Sequence, residues 1–74
     1  MNFLDASGLS QPDPVVKTRR ALKTMRTGEK LELLANDPDC LRDIPAFCSN
    51  NGHHLLNARQ SDGVVLFEIE KGRD

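Results

Sequence analysis

The stretch Leu4-Asp5-Ala6-Ser7-Gly8-Leu9-Ser10-Gln11-Pro12-Asp13-Pro14-Val15-Val16-Lys17-Thr18-Arg19-Arg20-Ala21-Leu22 decides the fold. It reads as a short strand, a glycine turn, a proline-primed helix start and a basic amphipathic helix. Phe3 to Ala6 form the strand, and Gly8 ends it with a residue free to adopt positive φ. Pro12 and Pro14 fix φ near helical values and lack amide hydrogens, which suits a first turn whose amides have no intrahelical partner. Asp13 places negative charge at the positive end of the helix dipole. Val15, Thr18, Ala21, Leu22 and Met25 recur at helical spacing and predict one mostly apolar face over Pro14 to Arg26. Thr27-Gly28 closes the helix, with Gly28 as its C-terminal cap.

The pattern continues outward from there. Leu31, Leu33 and Ala35 alternate with Glu32, Leu34 and Asn36, which predicts a second strand. Asp37 is a good N-cap and Pro38 a good first residue for a second helix. Leu41, Ile44, Phe47 and Cys48 supply its inward face. Pro45 cannot donate to the carbonyl of Leu41, so a kink or a restart at Asp43 is expected. Asn50-Asn51-Gly52 ends this helix. His54 to Gln60 and Val64 to Lys71 read as two strands joined by the hairpin turn Ser61-Asp62-Gly63. Val65, Phe67 and Ile69 make one face of the last strand, and Gly72-Arg73-Asp74 reads as a fraying tail. The order β-α-β-α-β-β predicts an α+β two-layer sandwich, with two helices on one face of a four-stranded mixed sheet.

Size and composition bound the function. Seventy-four residues make one domain, 1–74, which buries roughly 60–65% of its unfolded surface and has no room for a deep cavity. Function is therefore expected on a surface or an edge. No apolar run approaches the ~20 residues that span a bilayer, and Met-Asn-Phe-Leu-Asp lacks the features of a signal peptide. The expected location is the cytoplasm, with no membrane partner. The net charge of −1 argues against a general nucleic-acid binder, and there is no Tyr or Trp for base stacking. Cys40 and Cys48 suit free thiols in a reducing compartment better than a disulfide framework. Neither they nor His53 and His54 have zinc-site spacing, so no metal and no other cofactor is expected.

Leu4-Asp5-Ala6-x-Gly8-Leu9, the pair Pro12-x-Pro14, Gly28-Glu29, Asp37-Pro38, Arg42-Asp43-Ile44-Pro45-x-Phe47-Cys48 and Gly52-His53-x-Leu55-Leu56 occur in that order. Together they resemble the TusA/SirA family of small bacterial sulfur-carrier proteins, over nearly the whole chain from Leu4 to Lys71. The resemblance implies strand order 1-2-4-3, as in the C-terminal domain of bacterial translation initiation factor three. It also implies a persulfide-carrying cysteine in the turn Gly-Leu-x-Cys-Pro-x-Pro. This chain has Gln11 at that position, and a carboxamide cannot form a persulfide. Loss of sulfur transfer in a natural paralogue, deliberate replacement, and transfer of the role to another thiol each account for it.

The candidate site follows from topology. In parallel β-α units the helix N-termini share the edge beyond the carboxyl ends of the strands. Gln11, with Gly8, Pro12, Asp13 and Pro14 shaping the helix start, is therefore expected on one rim with Cys40 and the Ser61-Asp62-Gly63 turn. Cys40, in the first turn of the second helix, is the candidate substitute thiol. A helix N-terminus lowers a thiol pKa, whereas Asp37, Asp39 and Asp43 raise it. An ordinary residue in a helix turn is the plainer reading of Cys40, and a small buried hydrophobe that of Cys48.

Lys17, Arg19, Arg20, Lys23 and Arg26 make the first helix basic. They form either a solvated face or a steering surface for a protein partner. By resemblance, the partners are a cysteine desulfurase and a downstream sulfur acceptor, in tRNA thiolation or other sulfur metabolism. Enzymatic activity stays open, because the family is sulfurtransferase-like and the sulfur-accepting cysteine is absent at position 11. The alternative is a non-catalytic regulatory module that binds a protein or an anion through the rim and the basic helix.

Overall fold

The alternation of Leu31, Leu33 and Ala35 with Lys30, Glu32 and Leu34 produces the strand that organises the molecule. In the computed structural model, which describes residues 2–73, the elements are β1 (Asn2–Asp5), α1 (Asp13–Lys23), β2 (Lys30–Ala35), α2 (Cys40–Asn50), β3 (His54–Ser61) and β4 (Val64–Glu70). The four strands form one mixed sheet in the order β1-β2-β4-β3. β1 pairs parallel to β2, and β4 runs antiparallel to both β2 and β3. This is the α+β sandwich expected from the element order, with the strand order that the family resemblance implies.

Both helices cover the sheet face that presents Leu31, Leu33, Ala35, Val65, Phe67 and Ile69. Leu22 and Met25 of the first helical segment join Ile44, Phe47 and Cys48 of α2 in the same buried cluster. Thr18 is also buried on this face, and its hydroxyl donates to the Pro14 carbonyl at 2.7 Å, which removes the cost of burying it. At the hairpin, Asp62 (φ 52°) and Gly63 (φ 80°) both take positive φ, as a tight two-residue turn matched to strand twist requires.

Several boundaries differ from the sequence expectation. α1 stops at Lys23 rather than Arg26, because the amides of Thr24 and Met25 turn inward to the carbonyls of Ala21 and Leu22. α2 runs unbroken through Pro45. Leu41, expected on the inward face, is 43% exposed, so solvent can take the carbonyl that Pro45 leaves without a donor.

The tail differs most. Gly72 is buried rather than fraying, and Lys71 bonds through its backbone to both Gly28 and Glu29. Asp74 lies outside the described residues. A Cβ on Gly72 would overlap the Gly52 carbonyl oxygen, so only glycine fits where this segment crosses the turn after α2. Gly72→Ala is therefore expected to cost about 1–3 kcal/mol by overpacking. It should lower the urea midpoint without changing the slope; an unchanged midpoint would contradict the close approach.

Candidate functional site

Parallel pairing fixes where the site can lie. Asp5 pairs with Leu34, and Ala35 pairs with Val65. The carboxyl ends of β1 and β2 and the turn before β4 therefore share one edge of the sheet. The loops leading to α1 and α2 both leave from this edge.

Two side chains of the second loop tie the first in place. Asn36 Oδ1 accepts the Gly8 amide at 2.8 Å, and Asp37 Oδ2 accepts the Gln11 amide at 2.9 Å. Gly8 itself takes φ 85°, the conformation its place in the turn demands. Asp37 Oδ1 also accepts the Asp39 amide at 3.0 Å. These bonds, from Asp39 first and Gln11 second, hold the Asp37 carboxyl below its usual range. The roles of Asn36 and of Asp37 toward Gln11 are not contained in the sequence pattern, because they depend on two loops 26 to 28 residues apart meeting in space.

Gln11 sits between the two helix starts. Its Oε1 accepts the Val15 amide at 3.4 Å, and its Nε2 donates to Cys40 Sγ at 3.6 Å. The carboxamide thus serves one free amide of the α1 start and one thiol of the α2 start. Pro12 and Asp13 are exposed beside it, and Pro14 is buried under the helix.

Cys40 lies on this rim beside Gln11, and it is completely buried. Burial pushes its pKa up, and the carboxylates of Asp37, Asp43 and Asp39 push it further. Desolvation and three nearby negative groups outweigh the helix dipole at this position. Cys48 is buried as expected, and burial pushes its thiol up to about 11.

From the Gln11 rim a groove of about 330 Å³ runs between the helices, lined by Gln11, Pro12, Val15, Asp43, Ala46 and Phe47 among others. Lys17, Arg19, Arg20, Lys23 and Arg26 are all exposed along α1 and beyond it. Among the described residues, ion pairs join only Arg42 to Asp39 (3.7 Å) and to Asp43 (3.0 Å), so the five α1-side cations have no carboxylate partner. The Arg19 guanidinium stands 5.5 Å above the Phe47 ring. Among the described residues no group of three or more His, Cys, Asp or Glu side chains is placed to hold a metal ion. Among the same residues no helix is long and apolar enough to cross a membrane.

The structure is a small two-layer α+β module whose first helix is proline-primed and basic. A sequence model described as sulfurtransferase TusA matches residues 2–71. The sulfur carrier protein TusA of Pseudomonas putida is 39% identical over 72 residues, covering 97% of this chain and 90% of that protein. That of Pseudomonas entomophila is 39% identical over 71 residues, covering 96% and 89%. A crystal structure of a SirA-like protein from Desulfitobacterium hafniense superimposes with a TM-score of 0.86 at 23% identity, over 99% of this chain and all of that one. The chain belongs to the TusA family of sulfur-carrier proteins.

The raised thiols set a pH dependence. Each folded-state pKa lies above the unfolded value of about 8.5, so the protonated thiols contribute stability that is complete below that pH. The contribution is lost as pH rises through the folded value, which for Cys48 is about 11. The urea midpoint should fall over this window, and Cys48→Ala should flatten the fall. Both cysteines should resist iodoacetamide at neutral pH until the chain is unfolded; rapid native-state alkylation of Cys40 would contradict its burial.

Proposed function

We propose that this chain is a sulfur-relay module of the TusA type that docks on relay proteins but takes no sulfur at position 11. The supporting observation is the carboxamide of Gln11, bonded to the Val15 amide and to Cys40 Sγ at the start of α1. In the persulfide relay implied by the family, a carrier thiolate attacks the terminal sulfur of a donor persulfide. A new S–S bond forms as the old one breaks, and the donor leaves as a thiolate. The carboxamide nitrogen has its lone pair delocalised into the carbonyl and cannot make that attack.

Docking does not need the sulfur atom. The exposed cations of α1 favour an acidic partner surface and raise its encounter rate with the neighbouring rim. The partners in this reading are a cysteine desulfurase and a downstream acceptor, in tRNA thiolation or other sulfur metabolism of the cytoplasm. Cys40 is a poor replacement carrier in the resting fold, since its thiol is buried and kept protonated.

Incubation with a cysteine desulfurase and labelled cysteine, read by intact mass, tests this. The native chain should bind the desulfurase yet gain no sulfur. Gln11→Cys should gain one sulfur, and keep that gain when Cys40→Ser is added. Sulfur found on Cys40 of the native chain would overturn the proposal; a silent Gln11→Cys variant would remove the rim from the relay.

A further inference from the structure

Lys71 is the least expected charged group in the fold. It continues the alternation of Val65, Phe67 and Ile69, and this periodicity turns it toward the helices. Its side chain is only 7% exposed, and Nζ donates to the Leu22 carbonyl at 2.7 Å. That bond satisfies one donor of three and sets the ammonium on a last-turn carbonyl of α1, the negative end of its dipole. Among the described residues no carboxylate lies in ion-pair range of it, so the buried cation lacks a full counter-charge.

The side chains around it add positive charge. Lys71 opens onto a cleft of about 370 Å³ beside the end of α1. Arg19, Lys23, Asn51 and His53 also line it, and no acidic side chain does. Phe47 holds the Arg19 guanidinium on one side and the His53 ring, with centroids 5.7 Å apart, on the other. Two backbone carbonyls of the lining are already engaged. Leu22 accepts from Met25 and Lys71, and Phe47 accepts from both the backbone and the side-chain amide of Asn51. His53 Nδ1 accepts the Gly72 amide at 3.0 Å.

We propose that the cleft formed by Arg19, Lys23, His53 and Lys71 is a binding site for a small tetrahedral oxyanion such as inorganic phosphate or sulfate. Three cationic side chains line one concave surface, where field lines are focused and charge-assisted hydrogen bonds to an anion are strong. The cleft shares Arg19, Phe47 and Asn51 with the groove that runs from the Gln11 rim, but neither Gln11 nor Cys40 lines it.

Titration of the intact chain with sodium sulfate at constant ionic strength, balanced with chloride and followed by amide NMR, tests it; inorganic phosphate gives a second probe. Saturable shifts confined to Arg19, Lys23, Asn51, His53 and Lys71 are expected. Lys71→Met, which keeps the aliphatic stem, should abolish saturation. Because that variant risks misfolding, Lys23→Gln on the exposed edge provides an independent arm and should weaken binding by about tenfold, or about 1.4 kcal/mol. Lys17→Gln, on the same helix but outside the cleft, should leave binding unchanged. Non-saturating shifts spread over all the α1 cations, or equal loss in Lys17→Gln and Lys23→Gln, would reduce the cleft to diffuse surface charge and overturn the proposal.

Discussion

Parallel pairing of β1 with β2 is the constraint on which the rest of the structure depends. A parallel pair needs a crossover, and the crossover here is α1. With α2 packed on the same face of the sheet, both helices must begin at the edge where β1 and β2 end. The Gly8–Gln11 turn and the Asn36–Asp37 turn are thereby brought together whatever their side chains. Asn36 and Asp37 then convert proximity into fixed geometry by accepting the amides of Gly8 and Gln11. Without those two acceptors the amides would face the neighbouring loop with no hydrogen-bond partner there.

The same topology separates charge. Asp37, Asp39 and Asp43 gather at the α2 start, and Arg42 pairs with the latter two. Exposed pairs of this kind contribute little stability, but they consume the one cation near the acidic cluster. The α1 side has the opposite composition, with exposed cations and no carboxylate partner among the described residues. A net charge of −1 conceals this polarity. A partner approaching the groove between the helices meets an acidic wall at one end and a basic one along its length.

The fold was legible because each element carries its own local signature. Pro12 and Pro14 mark a helix start, Asp62-Gly63 marks a hairpin, and alternating Leu31, Leu33 and Ala35 mark a buried strand face. Strand order came from family resemblance, since periodicity does not encode neighbours. Legibility failed where tertiary contacts decide. Composition gives Cys40 both a lowering dipole and raising carboxylates, and only its complete burial settles the balance. Leu41 fits an inward helical face, yet it turns outward beside the proline gap. Lys71 was readable in principle, because the alternation that buries Phe67 and Ile69 also places residue 71 inward. Its charge argued against that position, and the Leu22 carbonyl that receives it comes from a residue 49 positions away.

Gln11 satisfies a helix start without a charged or nucleophilic atom. The α1 start presents amides with no intrahelical partner, and a thiolate would satisfy that electrostatic demand with full negative charge. A carboxamide oxygen satisfies it with a dipole, here toward Val15, at a smaller desolvation cost. The amide nitrogen then has to be placed as well, and it finds Cys40 Sγ. A protonated, buried thiol is a suitable weak acceptor for it, whereas a second exposed thiolate would add negative charge beside Asp37 and Asp43. The raised pKa of Cys40 and the amide at position 11 are thus mutually consistent: each suits the neutral form of the other.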